Sequence, residues 1–494
     1  RVLFRSAISA TTVWEVRTTG SASNGGGFDT ASSGVDYSQQ DSPQVTYTDL
    51  VIDATTNTKC TSAGNPFTSS HVGNVINITS GTGFTVQRVQ VVSVATGVAT
   101  CDKSLGTLSS TGGNGKLGGA LINPVDADAV YAPGNNIYVQ SGSYTAHTST
   151  KTFTCDGTLA GGDIWFIGYP SGGSRTNQDV TEASMPVFTS ATNSVAIFTT
   201  NNANFLGFRN IKVTHTAATR GVGWTNGTSA TSNGTRFVNC ITDGCLYGFD
   251  FGNGASTTIV GVNIIDCTVR NGTAGGIRLL QGQNASFVHG CYILDCAGPG
   301  ITIGNTTTGI WFVCTNTIID SMTGASGYGI HVTCTTATTN TAAFQVIDCD
   351  FWNNAQSGIY YAYTTGRMPT HFVSNCVFVA NGAYGQSCAT AGIIDGTQMV
   401  ARANAYYNNT SGARNNVAAG DGDVTLSGDP FTSASGSDFS LNNTAGAGAA
   451  ARSAGYPARV GALGATAGTG YKDIGPLQAQ ASAGGGTVAY GFAG

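Results

Sequence analysis

Asp348 and Asp350 stand two residues apart in Val346-Ile347-Asp348-Cys349-Asp350-Phe351-Trp352, where strand alternation puts both carboxylates on one face. Paired carboxylates do acid, base or nucleophile work on glycosidic bonds when held roughly 5 Å or 6.5–9.5 Å apart. With Asp295 and Asp320 they would form an acidic stripe able to cut a sugar chain or hold a cation. Trp352 is followed by Tyr360, Tyr361 and Tyr363, a candidate carbohydrate-binding platform, because aromatic faces stack on sugar rings; half of these rings should pack inside. Arg270 and Arg278, or Arg209 and Lys212, are the cations a lyase would need beside a uronate. No spacing of Cys with His fits zinc, and no serine elbow or phosphate loop is present, so neither metal nor cofactor is expected.

The elements that would position these residues are short and repeated. Asn210, Asn239, Asp266, Asp295, Asp320, Asp348, Asn375 and Asn404 recur 25 to 29 residues apart. Cys follows in five copies (Cys240, Cys267, Cys296, Cys349, Cys376), and a Gly comes about ten residues later, often before Ile. A unit of that length cannot bury its own apolar face, so it predicts one coil of a solenoid. Within one coil, alternation points Ile265, Cys267 and Val269 inward and Ile264, Asp266 and Thr268 outward. Exchange of Asp with Asn at the repeated position suits hydrogen-bond acceptance in a turn better than proton transfer. Parallel neighbours lie about 4.8 Å apart, too far for a ladder of disulfides, so the cysteines read as a buried column of thiols. Cys60 and Cys101 lie outside that ladder, and their pairing is left open.

Charged residues make up 10% of the 494, and 70 glycines with abundant Ser, Thr and Asn disfavour helix. The chain is therefore expected to be all-β. A net charge of −5 offers no basic face for nucleic acid, and no apolar run spans a membrane. Residues 1–10 are set aside, since Arg1-Val2-Leu3-Phe4-Arg5-Ser6 reads as a translated sequencing adapter and suggests a metagenomic source whose signal peptide is not assessable. Residues 11–134 read as a small N-terminal β module for attachment, in which Arg88–Val94 changes face in a way that predicts a bulge. Residues 135–415 give a parallel solenoid of about ten coils. Residues 416–494 read as a C-terminal cap, around Asp438-Phe439-Ser440-Leu441, and a Gly/Ala-rich tail.

The Asp-Cys or Asn-Cys followed by Gly-Ile resembles the repeat of right-handed parallel β-helix proteins, the pectate-lyase-like enzymes and phage tailspikes. Asp473-Ile474-Gly475 resembles the close of many extracellular β-helices. Val13-Trp14-Glu15-Val16-Arg17, Asn24-Gly25-Gly26-Gly27-Phe28 and Asp36-Tyr37-Ser38 are similar to the head of β-helix proteins of environmental phages and bacteria. The resemblance implies a right-handed β-helix and an extracellular or virion protein, such as a tail fibre or spike subunit, presenting a rigid surface to a cell-surface polysaccharide or other virion or surface proteins, as a homotrimer. A polysaccharide lyase or glycoside hydrolase using Asp348 and Asp350, and a bacterial adhesin or filament subunit, are the alternatives. A polygalacturonase-like site would need an Asp-Asp pair and Gly-His-Gly, and the sequence has neither.

Overall fold

The computed structural model describes residues 8–452, except 145–147, 178–179, 228–231, 253–258, 281–285, 306–310, 335–342, 364–370 and 392–398, together with 454–455 and 474–476. Residues 1–6, 471–473 and 477–494, which figure in the expectations above, lie outside the described residues. The protein is all-β: a parallel β-solenoid with a small antiparallel module.

Two compact units divide the chain. The first comprises Arg1–His147, Lys151–Thr189 and Asn202–Lys212. Six of its strands close a barrel in the order Val45–Ile52, Lys59–Thr61, Val98–Cys101, Gln87–Ala95, Val75–Ser80 and Gly113–Leu117. Closure leaves no exposed sheet edge. The expected bulge is there: register shifts between Val91 and Ser93, so Val89 and Val91 are buried while Val92 is exposed. Cys60 and Cys101 are free thiols in the barrel core.

Beside the barrel, Thr12–Val16 pairs in parallel with Asn136–Gln140, which pairs with Ile164–Tyr169. Two of the head motifs converge here. Glu15, wholly buried, accepts from Arg17 at 2.8 Å, from Arg175 at 2.7 Å and from the Tyr169 hydroxyl. Arg175 also donates to Asp36 and Ser38 at 2.8 Å. A carboxylate this deep persists because both of its oxygens are held by donors, two of them cationic.

The second unit comprises Thr148–Thr150, Ser190–Asn201 and Val213–Gly494. Each coil contributes a strand to each of three parallel sheets. The first sheet runs through Asn263–Ile265, Ser286–His289, Trp311–Thr315, Ala343–Ile347 and His371–Ser374. The second runs through Thr268–Arg270, Tyr292–Leu294, Ile318–Asp320, Asp350–Trp352, Val377–Val379 and Ala405–Tyr407. The third runs through Phe249–Phe251, Ile277–Leu280, Ile301–Asn305, Ile330–Cys334, Ile359–Tyr361 and Tyr384–Cys388. Like residues stack inside. Ile277, Ile301, Ile330 and Ile359 stand in register, and Phe351, Phe378 and Tyr406 stack at 4.8 and 5.2 Å. Each such side chain gains roughly 1.5–3 kcal/mol from burial.

The solenoid has about eight turns rather than ten. Early coils are longer than the repeat suggests: Gly168 and Asn210 meet across coils although 42 residues separate them.

The repeated Asp or Asn is a corner. Asn210, Asn239, Asp266, Asp348 and Asn375 have φ between 49° and 57°, between a first-sheet and a second-sheet strand. Asn and Asp tolerate this left-handed conformation best among residues with a side chain. The corner breaks the expected alternation. Ile264 is buried, Ile265 half-exposed and Asp266 exposed, after which Cys267 and Val269 point inward as predicted. Three copies of the repeat are out of phase. In two of their coils the first corner is Gly290 or Asn316, while Asp295 and Ser321 form the next corner, beyond the second-sheet strand; in the third the corner is Ala403, one residue before Asn404. The thiol column is therefore Cys240, Cys267 and Cys291, then Cys349 and Cys376, with Thr317 and Asn404 in the same position. Cys296 belongs to the following corner with Cys245, and burial pushes both thiols up to about 12. At that corner Asn354, Asn381 and Asn409 form an amide ladder with 2.8 and 2.7 Å bonds.

The C-terminal segment makes a hairpin, Phe431–Ser433 with Asp438–Leu441, and a helical turn, Gly448–Ala451. It lies against the outer face of the second sheet, where Phe431, Phe439, Leu441, Ala451 and Ile474 pack on Ile318, Val377 and Val379.

Candidate carbohydrate-binding face

The trailing glycines set the third sheet. A Cβ on Gly276 would lie 2.5 Å from the carbonyl oxygen of Gly300, and one on Gly329 would lie 2.4 Å from that of Gly358. The coils approach too closely there for any side chain. The next residue points inward and the one after it outward. Thr225, Asp250, Arg278, Thr302, His331, Tyr360 and Ser387 therefore form one outward row in register.

Aromatic rings gather at one stretch of this row. Tyr328 and Tyr360 stack at 4.5 Å with planes 12° apart, and His331 lies 5.0 and 5.4 Å from them. All three are half-exposed. Burial holds His331 down at about 4, so it is neutral at pH 7. Two coils earlier, Arg278 grips Asp250 through two bonds of 2.7 and 2.6 Å and lies 4.1 Å from the Tyr247 ring centre. Its charge is matched where it stands. The row offers flat apolar rings, hydroxyls and a neutral imidazole, with one balanced ion pair.

The aromatic residues named from sequence separate. Tyr360 lies in this row. Tyr361 and Tyr363 are inside the coil, 0% and 1% exposed, packed on His371, whose imidazole burial pushes down to about 3. The alternation along Tyr360 and Tyr361 sends one ring out and one in. Trp352 is on the second sheet, with Phe439 of the C-terminal hairpin 6.1 Å away, so its half-exposed ring is partly covered. Tyr247, Tyr328 and His331 were missed. They flank the repeat glycines at Gly248 and Gly329, and counting from those glycines would have found them.

The carboxylates also separate. Asp348 is a corner residue and Asp350 a strand residue, so they do not share a strand face. Both are buried, at 8% and 1% exposure. Asp295 sits at the following corner and Asp320 faces outward on the second sheet, so no acidic stripe forms. Asp320 accepts a 2.9 Å bond from the Tyr292 hydroxyl. Asp350 stands between Ile318 and Val377 on the neighbouring strands, and neither of its oxygens has a hydrogen-bond partner among the described residues. Burial, then the neighbouring Cys349 and Asp348, hold its carboxyl well above the usual range. The four cations named for a lyase are all engaged. Arg270 pairs with Asp243, Arg278 with Asp250 and Lys212 with Glu182, while Arg209 lies over Trp165. Among the described residues no three His, Cys, Asp or Glu gather to hold a metal, and no helix is long and apolar enough to cross a membrane.

Residues 195–377 match a family model described as a right handed beta helix region. A crystal structure of pectate lyase Pel9A is similar over 72% of this chain and 91% of its own, with TM-score 0.51 and 15% identity. Tailspike protein 3 of bacteriophage CBA120 aligns over 60% of this chain and 47% of its own, with TM-score 0.36 and 13% identity. No curated protein matches the chain in sequence. The likeness to the pectate lyase is one of fold.

Proposed function

We propose that this β-helix is a binding protein of an extracellular or virion assembly, such as a tail fibre or spike subunit, and that its third-sheet row takes up a glycan. The observation that carries the reading is the half-exposed Tyr328–His331–Tyr360 stack, set in register with the self-neutralised Arg278–Asp250 pair. Aromatic faces with hydroxyls and no net charge suit neutral sugar rings, whose C–H faces stack while their hydroxyls find polar partners. A uronate would need a free cation, and Arg278 already holds Asp250. Hydrolysis finds less support, since the enclosed Asp350 is out of reach of a polysaccharide. A homotrimer attached through the N-terminal module would multiply weak sites, and mass in solution checks that.

Native affinity gels containing dextran, laminarin, xylan or polygalacturonate test the reading. A neutral polysaccharide should retard the protein at both low and high salt, and Tyr360→Ala should weaken retention at least tenfold. Retention by polygalacturonate alone, lost in salt, would replace the neutral ligand with an acidic one. No retention by any of the four would sink the glycan reading.

A further inference from the structure

The second sheet has an outer face of the same kind, and the chain's own C-terminus occupies it. Across three coils it presents two outward columns, one of Tyr292, Ile318 and Asp350 and one of Leu294, Asp320 and Trp352. Phe439 stands over this group, its ring centre 6.2 Å from that of Tyr292 and 6.1 Å from that of Trp352, edge to face with both. The Ser437 hydroxyl donates to that of Tyr292 at 3.2 Å, and Gly475 sits over Asp350, where an added Cβ would be 3.0 Å from its Oδ1.

The fit is good for the rings and poor for the carboxylate. Both oxygens of Asp350 are enclosed with no donor among the described residues, although a buried polar group without a partner costs about 1–3 kcal/mol. Packing of the coil needs no Asp here, since Ile318 and Val377 hold the equivalent places on either side. A sugar ring between Tyr292 and Trp352 would replace Phe439 and give Asp350 and Asp320 hydroxyl donors, which Phe439 and Gly475 cannot.

We infer that the outer face of the second sheet is a second carbohydrate-binding face, closed in this state by the C-terminal hairpin with Phe439 standing in for a sugar ring. This inference does not rest on the third-sheet reading, which uses other residues on another sheet.

The test is carried out on the full chain with Phe439→Ala, in the same dextran, laminarin and xylan gels, with amide exchange followed over residues 438–441. The variant should be retarded at least tenfold more strongly than wild type by one of the three polysaccharides. Adding Trp352→Ala or Asp350→Ala should remove the gain, and adding Tyr360→Ala should leave it. Should the hairpin stay protected in Phe439→Ala, Phe431→Ser with Phe439→Ser removes both ring anchors and is read the same way. A hairpin that exchanges freely without new retention, or a gain that survives Trp352→Ala and Asp350→Ala, overturns the inference. Loss of wild-type retention by Tyr360→Ala reports separately on the third-sheet face.

Discussion

The second and third sheets of the larger unit are built from the same coils, yet their outer faces have opposite fates. On the third, Asp250 is answered by Arg278 in the next coil and the rings of Tyr328 and Tyr360 stack in the open. On the second, no donor among the described residues answers Asp350, and a hairpin partly covers Tyr292 and Trp352. A row whose charges are matched between coils can face water, whereas one bearing Trp, Ile and Val beside an unmatched carboxyl is covered.

Four substitutions probe that contrast. The largest effect is expected from Phe439→Ala, which removes a buried ring and should cost about 3 kcal/mol in urea unfolding. A cost within about 0.5 kcal/mol would mean that the hairpin does not hold the second sheet closed. Arg278→Met should cost about 2 kcal/mol, because it strands the buried Asp250. A neutral result would remove the charge-matching argument for the open face.

Asp350→Asn changes the pH dependence. The folded-state carboxyl of Asp350 is held above its unfolded value, so it contributes stability that is full below about pH 4. That contribution is lost as pH rises toward the raised value, at up to about 1.4 kcal/mol per pH unit. Asp348 and Cys349 face it from its own coil, with Asp320 and Tyr292 in the coils before. The wild type should therefore lose more stability than Asp350→Asn between pH 4.5 and 7.5, by difference of their unfolding curves. Parallel curves would show that Asp350 is solvated. The smallest effect on stability, within about 0.5 kcal/mol, belongs to Tyr360→Ala, whose ring is half-exposed. Thermal unfolding checks that this substitution acts on binding alone.

The repeat was legible because three backbone demands recur in every coil: a left-handed corner, a close approach at glycine and an inward alternation. Asp266, Gly276 and Val269 each answer one of them. Phase was harder to read. Gly290 and Asn316 meet the corner demand as well as Asp does, while Asp295 and Asp320, near but not at that corner, keep the spacing looking regular. Which outward residues would be covered was not legible, because Asp438–Leu441 reads equally well as an end cap and as a flank cover. The platform residues escaped notice for a related reason. Tyr328 and His331 lie beside a repeat glycine in a stretch with no motif of its own, and only the register of the third sheet joins them to Tyr360.

The thiol column bears on how the chain assembles. Cys267 lies between Cys240 and Cys291, and Cys349 lies between Cys314, 3.8 Å away, and Cys376. Every described cysteine is buried in the finished fold, but those of the column are sheltered partly by the coil that follows them. During folding the growing edge of the solenoid therefore exposes fresh thiols, and each new coil seals them. Alkylation at intervals during refolding would read the order of docking one cysteine at a time, and an oxidant present then would trap the edge that native protein withholds from it.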